Sequence, residues 1–157
     1  MRILSPVFAL VLVTLAVPCQ AGVDLPAVDA CIAHSEQMKS PPTACVDAEH
    51  AECAAMPDKM NAAATVCFSD AREAWTDGIS RRMEELQKTT SEDIAAIARI
   101  ELKYDLLASL VQCDRMEELA LLKGGPNEDL LRQKIRCAAT ASGLAYIRLV
   151  WRSRNLK

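Results

Sequence analysis

Aromatic side chains are scarce in this chain, which has two Trp, two Tyr and two Phe among 157 residues. So little bulky apolar area makes a small core hard to stabilise by burial alone and calls for another source of rigidity. Histidine is just as scarce, with only His34 and His50. Both read as surface residues, leaving little for general acid–base or metal chemistry. No run alternates apolar and polar residues as a half-buried strand does, and no H-E-x-x-H occurs. C-x-x-C is also missing: the shortest cysteine spacing leaves seven residues between Cys45 and Cys53, which argues against a zinc site. Gly124-Gly125 lacks the preceding strand and the Lys-Ser/Thr of a phosphate loop. The acidic pairs Glu84-Glu85 and Glu117-Glu118 lie near Arg81, Arg82 and Arg115 and read as solvated ion-pair faces of helices. The expectation is therefore no catalytic residue, no metal and no cofactor, and a protein that is not an enzyme.

Long hydrophobic runs are missing too, except at the start. Arg2 precedes "ILSPVFALVLVTLAV" and then "PCQAG", the pattern of a secretory signal peptide ending after Ala21. Val17 and Pro18 before Cys19 do not suit lipidation of that cysteine. The expected organisation is a signal peptide over 1–21 and one domain over 22–157, with no stable membrane insertion once the signal is removed. The formal charge is −3, and loss of Arg2 makes the remainder about one unit more acidic. With both signs interleaved along the chain, this argues against nucleic-acid binding and permits a basic protein partner.

Cysteine is what the chain has in quantity. Without Cys19, the even set Cys31, Cys45, Cys53, Cys67, Cys113 and Cys137 remains, and in an exported domain such a set is a disulfide framework. Alanine, leucine and glutamate dominate the rest and favour helix. Breakers divide the chain into about five helices, two short and three long. The short ones fit Pro26 to Lys39, ended by Ser40-Pro41-Pro42, and Thr43 to Met56, ended by Pro57. The long ones fit Lys59 to Lys88, Ser91 to Lys123, and Pro126 to Arg152. Phe68, Ala71, Trp75, Ile79 and Leu86 mark a buried face on the first long helix, with Trp75, Tyr104 and Trp151 all on apolar stripes. Ile97, Ile100, Tyr104, Leu107 and Val111 step 3-4-3-4, which predicts a buried seam on the second. The basic end "IRLVWRSRNLK" suits a helix C-terminus. The fold class is an all-α, disulfide-strapped helical bundle.

Residues equally distant from the turn of an antiparallel helix pair lie at one height. Cys113 and Cys137 stand twelve residues either side of Gly125 and lie on apolar stripes, so Cys113–Cys137 is expected as a strap across the last hairpin. The same symmetry centres Cys31–Cys53 on Pro42 and Cys45–Cys67 on Met56, both at predicted breaks, and these are the pairings expected. The sequential set, Cys31 with Cys45 and Cys53 with Cys67, centres on Met38 and Met60, off those breaks. Pairing Cys45 with Cys53 would join two residues of one helix. Each bridge closes a loop that contributes about 3 kcal/mol in the chain-entropy picture.

The stretch from Ala30 to Trp75, with Cys67, Asp70, Glu73, Ala74 and Trp75, followed by Gly124, Gly125, Cys137 and Arg148, resembles the lysozyme-inhibitor LprI family of small exported bacterial proteins. The likeness covers most of residues 30–150. Ile79-Ser80 and Met83 stand where that family has Leu-Asn and Tyr, and the cysteine before the glycines is displaced to Cys113. The resemblance implies an all-helical domain of the cell envelope, periplasmic or secreted, that inhibits a peptidoglycan-cleaving lysozyme by protein–protein contact. Its partner would be a protein, a basic lysozyme being the candidate, since acidic charge favours that encounter. The candidate contact is the one Gly-rich acidic turn, Gly124, Gly125, Pro126, Asn127, Glu128 and Asp129. Two other functions fit the same sequence: a non-inhibitory interaction or structural protein of the periplasm, and a carrier holding a small apolar ligand between its helices.

Overall fold

A computed structural model describes residues 22–124 and 127–154 of the chain. The expected signal segment 1–21, Gly125 and Pro126 of the turn, and residues 155–157 lie outside the described residues. Six α-helices and one 3-10 turn account for most of them, and no strand occurs among them.

Helix α1 (Leu25–Gln37) starts where the Asp24 carboxylate accepts from the Ala27 N–H and Pro26 occupies the first turn. The single short helix expected over 43–56 is instead two, α2 (Ala44–Glu49) and α3 (Ala51–Ala55), divided at His50. A 3-10 turn over Asp58–Met60 leads into α4 (Asn61–Thr89). Ser91 caps α5 (Glu92–Leu122), and its first turn carries Glu92 and Asp93 against the positive end of the helix dipole. The last helix is α6 (Asn127–Arg154).

The frame is a parallel pair, α4 and α6. Asn61 reaches Asp129 and Arg132 near both starts, and Arg82 donates to the Ser153 hydroxyl at 2.9 and 3.1 Å near both ends. Helix α5 is the long return between them, antiparallel to both, and packs chiefly on α6. Helices α1 to α3 line the α4–α6 pair as well, with Val28, Ile32, Cys45 and Val46 buried around Trp75, Tyr146 and Val150. Gly143 on α6 permits the close approach of α2 and α4. A Cβ there would stand 2.8 Å from a Val46 methyl and 3.0 Å from the Trp75 ring.

Three disulfides strap this frame, and two of them correct the expected pairing. Cys31 is joined to Cys45 and Cys53 to Cys67, in place of Cys31–Cys53 and Cys45–Cys67, with Cα separations of 5.9 and 5.6 Å. The symmetry principle holds, but about different centres. Prolines stop the helices without being the points of reversal. The chain turns at Met38 and Lys39, whose φ of 53° is left-handed, and again in the 3-10 turn ending at Met60. Cys113 is joined to Cys137 across the α5–α6 hairpin, Cα atoms 5.7 Å apart. Here the turn is short, so helix stop and reversal coincide.

Burial follows the expectation on α4, where Phe68, Ala71, Trp75, Ile79 and Leu86 are all inside. On α5 it reverses. Ile97, Ile100, Tyr104, Leu107 and Val111 are exposed, while Ala95, Leu102, Leu106 and Cys113 on the other face are the side turned inward. Trp151 is likewise about half exposed. A helix apolar on two faces can satisfy only one of them against α6. The face with small side chains permits the closer approach, so it is the one packed.

Gly143→Ala should overpack the Val46–Trp75 contact and destabilise the protein by about 1–3 kcal/mol. Thermal unfolding measures this, and an unchanged midpoint would mean that α2 can move away from α6 freely.

Candidate functional site

His50 is buried, contrary to its reading as a surface residue, whereas His34 is exposed. The Trp75 indole N–H, itself fully buried, donates to His50 Nε2 at 3.0 Å. An indole nitrogen can only donate, so Nε2 must be unprotonated and the imidazole neutral with its proton on Nδ1. Nδ1 faces the Thr140 hydroxyl at 3.5 Å. Phe68 and Trp75 meet the ring edge-on, with centroids 5.6 and 6.2 Å away. Burial holds the His50 pKa below its ordinary value; Asp47 opposes that shift and Arg136 adds to it. This arrangement aims no free nitrogen at a substrate, so His50 is a packing and orienting group. Among the described residues, no cluster of three or more His, Cys, Asp or Glu side chains is placed to hold a metal ion.

A second polar hub secures the start of α6. Arg132 donates to the Met56 carbonyl at 2.8 Å and to Asn61 Oδ1 at 3.0 Å, and lies 3.5 Å from the Asp58 carboxylate. Asn61 in turn donates to Asp129. Asp129, one of the expected contact residues, is thereby committed to fixing α6 against α4. Gly124 has φ of +71°, the left-handed region suited to glycine at a helix C-terminus, and open space around its Cα. Asn127 and Glu128 face solvent. Gly125 and Pro126 lie outside the described residues.

The hairpin end around this turn also carries side chains that the sequence reading did not single out. Met116, Leu119, Leu121 and Leu122 of α5 and Leu131 of α6 are exposed, Leu122 at 85%. The sequence held a signal for them. Leu119, Leu121 and Leu122 cannot share one helix face, so some had to point away from α6. Behind this apolar tip lie the Cys113–Cys137 strap and Lys134, which bonds Glu117 at 2.6 Å and lies 3.4 Å from Asp114. The bond to Glu117 is the main reason the Lys134 pKa is raised.

At the other end of α5, an open apolar cleft of about 380 Å³ runs between α5 and α6, floored by Leu86, Ile94, Ala98, Leu102 and Leu149. Two ion pairs rim it, Arg148 with Asp105 and Arg152 with Glu101. Arg154 reaches Glu36 and the Asp29 carbonyl on α1, while Tyr146 donates to Asp29 at 2.9 Å and its ionisation is suppressed by burial. Arg148, Arg152 and Arg154 of the basic C-terminal run thus tie α6 to α5 and α1.

No known protein family, curated protein or solved structure matches this chain. Three disulfides in one chain are chemistry of an oxidising compartment outside the cytoplasm. Among the described residues, no helix is long and apolar enough to cross a membrane.

Because folding lowers the His50 pKa, the unfolded chain takes up a proton that the folded chain refuses as pH falls below about 6.5. Stability should therefore be full above that pH and decline from there down through the folded-state pKa. Chemical denaturation of wild type against His50→Gln, whose amide oxygen can still accept from Trp75, tests this. The difference between the two proteins should change across that window, and a constant difference would show His50 to be uncoupled from folding.

Proposed function

We propose that this chain is an exported cell-envelope binding protein, periplasmic or secreted, that inhibits a lysozyme by protein–protein contact through the tip of its α5–α6 hairpin. The observation that carries this reading is the apolar tip itself. Leu119, Leu121, Leu122 and Leu131 stand in solvent at the end of a hairpin held by a disulfide and an ion pair, around exposed Asn127 and Glu128. Exposed large apolar side chains grouped on a rigid support are the composition of a contact surface. A lysozyme works with two carboxylates in an open groove, and a narrow helical tip has a shape that can enter one. Glu118 and Glu128 beside the leucines, on a chain of net negative charge, favour encounter with a basic enzyme.

A second reading, a carrier of small apolar ligands, draws on the 380 Å³ cleft between α5 and α6, a volume at the low end for ligand pockets. Lipid that co-purifies with the protein and is lost from a cleft-filling Ala98→Phe variant would favour it. A non-inhibitory docking role would use the same tip on a different partner.

The oxidised protein titrated against c-type, g-type and i-type lysozymes should slow at least one of them with a dissociation constant on the order of micromolar or tighter. Leu122→Asp should weaken inhibition by about tenfold or more, the cost of losing one well-packed contact residue. Absence of any slowing at micromolar protein removes the inhibitory reading.

A further inference from the structure

The exposed seam on α5 lies away from the hairpin tip and asks for a partner of its own. We propose that it is a self-association surface through which two copies of this chain pair side by side, in parallel, as a two-fold dimer. Ile97, Ile100, Tyr104, Leu107 and Val111 recur at 3-4-3-4 spacing and are 40–61% exposed. On a helix this spacing makes one straight stripe about 21 Å long. The packed face, with Ala95, Leu102, Leu106 and Cys113, lies on the opposite side, so the whole body of each chain stands behind its own α5 and leaves the stripe free to meet another.

Area and charge both select a second copy. Five large apolar side chains about half exposed leave on the order of 500 Å² uncovered, within the roughly 300–600 Å² of a typical monomer's largest patch, which is often a functional one. With the flanking residues this approaches the ~800 Å² per partner typical of a stable interface. The two flanks differ in charge. Arg99 and Lys103 lie on one edge and form no ion pair among the described residues, whereas Glu101 and Asp105 on the other edge already pair with Arg152 and Arg148. When two such helices run parallel about a two-fold axis, the basic edge of each faces this neutralised, carboxylate-bearing edge of the other, and the 3-4 spacing lets their side chains interlock. Antiparallel pairing would set the two unpaired basic edges against each other. The parallel arrangement also places both hairpin tips at the same end of the dimer. It does not depend on what those tips bind.

Sedimentation equilibrium of the oxidised full exported chain should give twice the chain mass, with a dissociation constant on the order of micromolar. Leu107→Lys should shift the protein to monomer, weakening association by about 100-fold or more, with the helical far-ultraviolet circular dichroism retained because the residue is half exposed in the single chain. Lys103→Glu should weaken the dimer by about tenfold at low salt and less at high salt. A single-chain mass at a concentration on the order of 100 micromolar, or a dimer indifferent to Leu107→Lys, would overturn the proposal. Tightening by Lys103→Glu would overturn the parallel arrangement. These readouts are masses, so a protein that dimerises without inhibiting any lysozyme, or inhibits as a monomer, separates this inference from the inhibitory one.

Discussion

The hydrogen bond from the Trp75 indole to His50 is the constraint around which the rest of the molecule is arranged. A donor-only group with no exposed surface must have an acceptor, and an unmet indole in this core would cost about 1–3 kcal/mol. The acceptor comes from the point where the covering segment breaks into α2 and α3. That bond, together with the Cys53–Cys67 strap from α3 to α4, fixes where the N-terminal third of the chain lies on α4. Thr140, facing the other imidazole nitrogen, and Gly143, giving way to Val46, bring α6 to the same place. Once α4 and α6 are held parallel, the segment joining them has to span the full length of the body. Helix α5 is that span.

What was legible in the residues depended on how many solutions each pattern allowed. On α4 a single apolar face means a single answer, and Phe68, Trp75 and Leu86 are buried as their spacing requires. On α5 two opposite faces are apolar, and periodicity cannot say which one is packed. The distinguishing clue was size: alanines and a cysteine mark the side where another helix comes close. The cysteine pairings failed for a related reason. A proline tells where a helix ends but not where the chain reverses, and the left-handed Lys39 and the 3-10 turn ending at Met60 leave no comparable mark. Around Gly124 the stop and the reversal are the same feature, and there the strap follows from spacing. His50 carried no signal at all. Its role arises only from the tertiary meeting with Trp75.

The polar groups divide the molecule into a closed side and an open side. Where α1, α2 and α3 meet α4 and α6, charges are used to tie elements together: Arg132 holds the α3–α4 corner, Arg154 reaches back to α1, and Tyr146 binds Asp29. Along α5 the same kind of pairs, Arg148 with Asp105 and Arg152 with Glu101, hold the helix by one edge and leave its outer face apolar and uncovered. Exposed leucines at the hairpin tip continue that pattern. Burial is complete on the side that makes the fold and withheld along the outer face of α5 and the hairpin tip.

Leaving so much apolar surface in water has a thermodynamic cost that shows why the last disulfide sits where it does. Every exposed leucine on α5 forgoes about half or more of the roughly 1.5–3 kcal/mol that full burial would have added. With packing withheld, the end of the hairpin has to be held by means other than burial of its leucines. Cys113–Cys137 restricts the unfolded chain without covering any side chain beyond it, and Lys134 with Glu117 and Asp114 repeats the constraint one turn closer to the tip. Arg132, Asn61 and Asp129 then anchor the first turn of α6 from the opposite side. The cysteines lie about one to two turns back from where α5 starts to present Met116, Leu119 and Leu122 to solvent.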